Sequence, residues 1–167
     1  PFVCGGESES LVGDDAENLL VLNSMSKIFR IPGLRIGFVV ASERIAEKFY
    51  RYYLPWSVNG LAQEAVKFLM ERPEQTERFV RESQEYLRTE RDSFRKMLEK
   101  YGPIQVFESE TSFLLAKLKG KIDSGDVFEQ MARAAFLVRD CRNFTGLSDK
   151  FVRISLKTRD INRRAAE

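Results

Sequence analysis

Runs of apolar residues near the start of the chain predict two strands. Residues 19–22 are Leu-Leu-Val-Leu, four consecutive apolar positions without the alternation of a half-exposed strand. Such a run predicts a strand that is buried on both faces, as in the sheets of α/β proteins. Residues 36–41 are also mostly apolar and predict a second strand.

Apolar residues at helical spacing predict two helices after the second strand. Ser42 is placed to cap the first, whose apolar stripe reaches Tyr53 and which Pro55 ends. Asn59 is placed to cap the second, which Pro73 ends. Such stripes usually pack in a core or at an interface, and this is expected of the aromatic residues of the first helix. The alternative is that they line the mouth of a substrate site.

A long charged segment follows at residues 74–100, with a single stripe of apolar residues. This pattern predicts one long helix whose charged side faces solvent. Gly102 and Pro103 end the helix and mark a candidate domain boundary. Beyond them the pattern predicts a small α/β lobe. Its strands are expected at residues 104–107, 112–118, 136–141 and 151–156, with a helix around residues 127–135.

Composition is that of an ordinary globular protein and argues against several classes of function. The 167 residues are 43% apolar and 31% charged. The net charge is only +2 and the basic residues are interleaved with acidic ones, which argues against nucleic acid or an anionic membrane as a partner. No long apolar span is visible that would cross a membrane.

The cysteine and histidine content narrows the chemistry further. Cys4 and Cys141 are too few for a disulfide framework or a zinc site, and they fit a reducing cytoplasm. The chain has no histidine. Catalytic triads that use histidine are therefore excluded, and no metal ligands are predicted.

Polar side chains with a distinct chemistry follow the first predicted strand. Ser24, Ser26 and Lys27 come directly after it, at the end of a strand where ligands gather in open α/β sheets. Proline and glycine at positions 32–33 predict a type II turn, which returns Arg35 to the second strand. Arginine and hydroxyl groups can hold a phosphate, and lysine can form a Schiff base. Alternatively, the charges are solvated and the serines only cap turns.

Residues 24–38, with SMSK followed by PGLRIGF, resemble the cofactor-lysine motif of the class I/II aminotransferases, which are fold type I pyridoxal-5′-phosphate enzymes. The resemblance implies that Lys27 binds this cofactor as a covalent imine. It also implies that Ser24, Ser26 and Arg35 hold the cofactor phosphate. The cofactor would then act as an electron sink for bond breaking at the substrate Cα.

The resemblance covers essentially all of this chain but only about half of a two-domain enzyme of this family. The family's aspartate that pairs with the pyridine nitrogen, and the aromatic residue that stacks on the ring, belong to upstream segments that this chain does not contain. Phe2 and Val3 resemble the residues just after that aspartate. The chain is therefore expected to begin inside a domain.

The fold that the resemblance implies is α/β, in three parts. Residues 1–72 would be the end of the large, pyridoxal-phosphate-binding domain, with a mixed, mostly parallel sheet. Residues 73–101 would be a long bridging helix, and residues 102–167 a small, truncated α/β C-terminal domain. The resemblance also implies a cytoplasmic homodimer.

The last predicted strand carries a further candidate residue. Alternation places Val152, Ile154 and Leu156 on one face and Arg153 with Ser155 on the other. An arginine on rigid β structure can bind a carboxylate with little loss of entropy, although it can also be a surface charge. Residues 151–155 resemble the family's carboxylate-binding segment, which implies that role for Arg153.

A neighbouring segment bears on the subfamily. Residues 137–147, LVRDCRNFTGL, resemble threonine-phosphate decarboxylases of cobalamin synthesis more than the related histidinol-phosphate aminotransferases. The resemblance implies that Arg139 and Arg153 together bind the anionic groups of a phosphorylated amino acid or amino alcohol. Whether the carboxylate or a proton leaves Cα depends on substrate orientation, so decarboxylation and transamination both stay open. A third alternative is a catalytically incomplete structural fragment.

Overall fold

The computed structural model describes residues 11–14 and 16–167. The expectations for residues 1–4 lie outside these residues. The described residues form two compact units, one extending to Glu82 and the other comprising Ser83–Glu167. No helix in the described part of the chain is long and apolar enough to span a membrane. The same residues contain no cluster of three or more Cys, Asp or Glu side chains that could hold a metal ion.

The first unit contains a β-ribbon and helical segments. Strands β1 (Leu20–Ser24) and β2 (Gly37–Ala41) pair antiparallel, with Leu20 opposite Ala41 and Ser24 opposite Gly37. The strand that was expected to be buried on both faces is not, because Leu22 is 74% exposed. A ribbon of two strands has too few neighbours to cover both of its faces.

Two helices follow the ribbon. Helix α1 spans Glu43–Tyr50 and helix α2 spans Gly60–Met70. The prediction for Asn59 is confirmed, since its side chain accepts a 2.9 Å hydrogen bond from the backbone N–H of Ala62. Ser42 is at the N-cap position of α1, but its hydroxyl instead donates to the carbonyl of Glu17 at 3.0 Å.

Helix α1 is shorter than predicted, and its aromatic side is exposed. The helix ends well before Pro55, and Trp56 in the following segment has a left-handed backbone with φ 61°. A cleft of about 510 Å³ lies beside α1. Its lining consists of Val39, Ala41, Ala46, Phe49, Tyr50, Tyr52, Tyr53, Leu54 and Ser57. These aromatic residues do not join a core within this unit, since Phe49, Tyr50 and Tyr53 are 54%, 75% and 57% exposed. Their place at an interface stays a prediction.

Helix α3 spans Pro73–Tyr101, within a residue of the predicted bounds at each end. Its exposed side carries ion pairs between neighbouring turns, such as Glu77–Arg81 at 3.6 Å. In the second unit its apolar stripe buries Phe94 and Leu98. The same helix can expose one side to solvent and bury the other because its apolar residues recur at helical spacing.

The second unit is built on a four-stranded antiparallel sheet in the order β3-β4-β6-β5. The strands are β3 (Ile104–Val106), β4 (Phe113–Leu118), β5 (Arg139–Asp140) and β6 (Phe151–Ser155). Helix α4 (Ser124–Arg133) follows β4, and helix α5 (Arg159–Ala166) follows β6. The core of the unit combines one face of the sheet with α3. Its buried members are Phe94, Leu98, Val106, Leu114, Ala116, Leu118, Val152 and Leu156.

The predicted strand at residues 136–141 is reduced to Arg139–Asp140. The chain before it is still turning away from α4, since Ala135 has a left-handed φ of 64° and Phe136 N–H bonds to the Met131 carbonyl at 2.8 Å. The α/β fold class is confirmed. However, every strand pair among the described residues is antiparallel. Parallel pairing needs a crossover connection, which the loop between β1 and β2 does not provide.

Candidate functional site

The end of β1 and the loop that joins it to β2 carry all four residues expected to bind the cofactor. The backbone N–H of Met25 donates to the carbonyl of Ile36 at 3.3 Å, which closes the loop just beyond the paired strand ends. We call residues 23–36 the lysine loop. Ser24, Ser26 and Lys27 leave the ribbon at the same end at which Arg35 returns to it.

The two serines have different surroundings in the lysine loop. Ser26 is buried, and its hydroxyl donates to the Ile36 carbonyl at 3.5 Å, the upper limit for a hydrogen bond. Ser24 is exposed, and its hydroxyl accepts a 3.4 Å hydrogen bond from the N–H of Ser26. Since both contacts are long, either hydroxyl could move to a stronger acceptor at little cost.

Lys27 is exposed, and its ammonium has no hydrogen bond or ion pair with any residue that the structure describes. Its backbone carbonyl accepts a 3.2 Å hydrogen bond from the N–H of Arg30. The Ser26 carbonyl accepts one from Ile31 at 2.9 Å. The backbone around Lys27 is therefore held, whereas its amine remains free of protein partners among these residues.

The predicted type II turn is not formed. Residues Pro32–Leu34 form a 3₁₀ helix, and Gly33 does not have the positive φ that a type II turn requires. The left-handed positions are instead Arg30, with φ 55°, and Arg35, with φ 53°. The Arg35 Nη1 donates to the Pro32 carbonyl at 3.1 Å, which supports its unusual backbone.

Asn59 contributes to this loop in a way that the sequence did not indicate. While its Oδ1 caps α2, its Nδ2 donates to the Leu34 carbonyl at 3.1 Å. One carboxamide therefore fixes the lysine loop to the start of a helix. The residue type suggested a helix cap, but the second bond depends on tertiary structure.

The chemistry of the lysine loop fits a phosphate group. Between residues 23 and 36 there are three basic side chains and no acidic one. Two hydroxyls and the unused N–H groups of Arg35 add neutral and charged donors. Pyridoxal phosphate, which carries both a phosphate and an aldehyde that reacts with amines, matches this donor set together with Lys27.

In the second unit, the structure brings the other two predicted residues together. Arg139 on β5 lies directly opposite Arg153 on β6. Side chains directly opposite in an antiparallel pair share a face, with Cβ atoms about 4.5–5.5 Å apart. We call Arg139 and Arg153 the arginine pair. Like charges in this position repel each other, so a bound anion would relieve an unfavourable interaction.

Aromatic rings and an amide hold the arginine pair. The Arg153 guanidinium carbon lies 4.8 Å from the centre of the Phe113 ring, and that of Arg139 lies 5.3 Å from the Phe144 ring. Arg139 Nη2 also donates to the Oδ1 of Asn143 at 3.1 Å. The sequence did not indicate these three supporting residues. The period-two pattern of β4 could have placed Phe113 on the arginine face, but the loop residues gave no such signal.

Burial, hydrogen bonds and nearby arginine charges shift the pKa values of Cys141 and Asp140, which lie beside Arg139 in the chain. Burial raises the pKa of the Cys141 thiol, and the positive charges of Arg153 and Arg139 partly offset that rise. Burial also acts to raise the pKa of the Asp140 carboxyl. Hydrogen bonds from the Arg142 backbone and the Ser124 hydroxyl, with the Arg142 charge, outweigh it and leave this pKa below its usual value.

Comparison with known proteins gives a consistent family. The sequence profile described as "Aminotransferase class I and II" matches residues 2–167. A putative threonine-phosphate decarboxylase of Caldanaerobacter subterraneus is 29% identical over 147 residues, which are 87% of this chain and 38% of that protein. A histidinol-phosphate aminotransferase of Methanocaldococcus jannaschii is 32% identical over 142 residues, which are 85% of this chain and 37% of that protein.

Solved structures agree with the sequence comparisons. The crystal structure of the histidinol-phosphate aminotransferase from Clostridium acetobutylicum superposes with a TM-score of 0.86 and 28% sequence identity. The match covers 98% of this chain and 49% of that one. The chain thus spans less than half the length of each of these three proteins.

Proposed function

Because the chain belongs to the aminotransferase class I and II family, whose members are pyridoxal-phosphate-dependent enzymes, we propose that Lys27 is its cofactor-binding lysine. The main support for this proposal is the position of Lys27 in the lysine loop. There an exposed amine without a partner among the described residues lies in a basic loop that is closed by Met25 and Ile36.

Ser24, Ser26 and Arg35 are proposed to bind the cofactor phosphate. The long bond from the Ser26 hydroxyl to the Ile36 carbonyl can be exchanged for a stronger one to a phosphate oxygen. Arg35 uses Nη1 for the Pro32 carbonyl, so its other N–H groups remain for a charge-assisted bond.

Pyridoxal phosphate, when bound, withdraws electrons from the Cα of an amino substrate. Lys27 would hold the cofactor until the substrate amine replaces it. Its released amine could then remove or return a proton at Cα as a general base or acid. The arginine pair would bind the substrate's anionic groups, with Arg153 on a carboxylate and Arg139 on a phosphate.

The specific activity that we propose for the full-length protein is decarboxylation of threonine phosphate, as part of cobalamin synthesis. Residues 137–147 and the paired arginines support it, and so does similarity to a protein named as a putative threonine-phosphate decarboxylase. The second candidate is a histidinol-phosphate aminotransferase, which the names of the other two similar proteins favour. We further propose that the full-length protein is a cytoplasmic homodimer.

Cofactor binding can be tested without an activity assay. The full-length protein mixed with pyridoxal phosphate should become yellow, and borohydride reduction should fix the cofactor to the peptide that contains Lys27. Lys27→Ala should remove both signals, whereas Lys48→Ala, at an exposed lysine in α1, should remove neither. A full-length protein that stays colourless would refute the cofactor assignment.

The same measurement tests whether the 167-residue chain is a catalytically incomplete fragment. We expect weak or absent colour, because the chain spans only 37–38% of the two sequence relatives. A tight yellow complex with one cofactor per chain would contradict that expectation.

Reaction type is tested by two assays on the full-length protein. Release of CO₂ from threonine phosphate without amino transfer to 2-oxoglutarate would support the decarboxylase. Transfer of an amino group from histidinol phosphate to 2-oxoglutarate, without CO₂ release from threonine phosphate, would support the aminotransferase. Since both reactions need the same lysine, Lys27→Ala should abolish whichever is observed.

A further inference from the structure

Asn143 and Phe144 restrict the guanidinium of Arg139. The side-chain Oδ1 of Asn143 accepts a hydrogen bond from Nη2 at 3.1 Å, and the Phe144 ring lies 5.3 Å from the guanidinium carbon. An arginine at an exposed position otherwise samples many rotamers, and ordering it on binding has an entropic cost. The two contacts reduce that cost and leave the other N–H groups of Arg139 for a ligand.

The loop that carries Asn143 has a defined backbone. The N–H of Phe144 donates to the Cys141 carbonyl at 3.0 Å, and the N–H of Leu147 donates to the Phe144 carbonyl at 3.0 Å. These bonds close two successive turns. Gly146 has φ 84° in the second turn, a left-handed conformation that glycine adopts without strain.

The base of the same loop is held by Asp140. Its Oδ1 accepts hydrogen bonds from the backbone N–H of Arg142 at 2.9 Å and from the buried Ser124 hydroxyl at 2.7 Å. Asp140 and Arg139 are successive strand residues, so their side chains point to opposite faces. One face of β5 is thus fixed to α4, while the other presents Arg139.

The residue type at position 143 has a chemical consequence. A carboxamide accepts a hydrogen bond without carrying charge, so Arg139 keeps its full positive charge for an anion. An aspartate would accept the same bond but would neutralise that charge. Substitutions of Asn143 can therefore change the orientation of the Arg139 guanidinium and the local charge separately.

We propose that Asn143 is a positioning residue that orients Arg139 toward a doubly charged phosphate ester and thereby favours phosphorylated over unphosphorylated substrates. This inference rests on the proposed function, since it takes the arginine pair as the residues that bind the substrate's anionic groups. Asn143 touches Arg139 and acts through it.

The inference can be tested by calorimetric binding to the cofactor-loaded full-length protein. The probe is 3-phosphoglycerate, which has a carboxylate and a phosphate ester but no amine to react with the cofactor. Glycerate is the matched probe without phosphate. We expect Asn143→Ala to weaken 3-phosphoglycerate binding about tenfold and Asn143→Asp to weaken it more, with glycerate changed less than about twofold.

Asn143→Ala tests orientation because it removes the acceptor for Arg139, whereas Asn143→Asp tests charge because it keeps that acceptor. If Asn143→Ala binds 3-phosphoglycerate as tightly as wild type, or weakens glycerate equally, the inference is wrong. Arg133→Ala removes a basic charge that pairs only with Glu129 among the described residues, and it should leave binding unchanged.

Two arginine variants separate this inference from the proposed function. If Arg139→Ala weakens binding of 3-phosphoglycerate but both Asn143 variants do not, the inference fails and the proposed substrate site stands. If Arg139→Ala and Arg153→Ala both bind as wild type does, the proposed substrate site fails and the inference fails with it.

Discussion

Gly33 and Gly37 are four positions apart in the chain, yet their surroundings differ. A Cβ at Gly37 would lie 2.5 Å from the backbone carbonyl oxygen of Asn23, on the partner strand. A Cβ at Gly33 would meet nothing within 4 Å. Only Gly37 is therefore required for the close approach of the two strands at the start of the lysine loop.

This contrast predicts opposite tolerance to the same substitution. Gly37→Ala should reduce the free energy of unfolding by about 1–3 kcal/mol, because the backbone must move to admit the methyl group. Gly33→Ala should change it by less than about 1 kcal/mol, since alanine restricts the unfolded chain and fits the folded one. Urea unfolding of both variants measures the difference, and equal losses would contradict the proposed clash.

At the residue scale, the sequence predicted which side chains the lysine loop contains better than it predicted the backbone conformation of that loop. The spacing of Ser24, Ser26, Lys27 and Arg35 was enough to place all four in one loop. It did not predict the left-handed backbone of Arg30 and Arg35, because non-glycine residues adopt it only where surrounding contacts support it.

At the scale of elements, a buried carboxylate joins α3 to the end of the chain. Glu90 is fully buried, and its Oε1 accepts a 2.7 Å hydrogen bond from Arg159 Nε and forms a 2.7 Å ion pair with Nη2 of the same residue. Its Oε2 accepts a 3.3 Å bond from Asn162 Nδ2. Asn162 also bonds to the backbone of Lys157, so α5 and the segment before it depend on one acidic side chain.

Replacement of this carboxylate by an amide should destabilise the protein without leaving a cavity. We expect Glu90→Gln to lower the free energy of unfolding by about 1–3 kcal/mol, because an amide N–H₂ would face the donors of Arg159 or Asn162. Glu85→Gln is the control, since its pair with Arg88 on the same helix is solvent-exposed and should contribute nothing measurable. Thermal unfolding that fails to distinguish the two variants would contradict this role of Glu90.

Element boundaries followed local signals where such signals were strong. The side chain of Asn59 and the glycine-proline pair after residue 101 gave the bounds of α2 and α3 to within a residue or two. Strand β5 was predicted too long because its apolar run carries no information about pairing. Within the predicted segment 136–141, only Arg139 and Asp140 pair with β6 as strand residues.

At the scale of the whole molecule, similarity to known proteins was predictable and strand pairing was not. The cofactor motif and the α/β class agree with the family found by comparison. The antiparallel pairing of every described strand depends on how the connections run in space. Apolar runs alone cannot specify that property.

The exposed aromatic surface beside α1 predicts self-association of the 167-residue chain. Tyr52, Leu54 and Trp56 are 84%, 71% and 96% exposed. Apolar surface of this extent usually mediates contacts. We expect sedimentation velocity to detect oligomers that Leu54→Ser with Trp56→Ser reduces. Leu137→Ser, at an equally exposed residue of the second unit, should leave them unchanged. A chain that is monomeric at high concentration would refute the prediction.

The opposition of Arg139 and Arg153 also affects the sheet that contains them. Strand β5 has only two residues, and its pairing with β6 brings two positive charges together. We therefore expect this edge to be the weakest part of the sheet. Any dianion that bridges the two guanidinium groups would strengthen the strand pairing while it binds. Ligand affinity and edge-strand stability are then thermodynamically linked. Amide hydrogen exchange at Cys141, whose N–H donates to the Phe151 carbonyl at 3.1 Å, should therefore slow as the ligand is added.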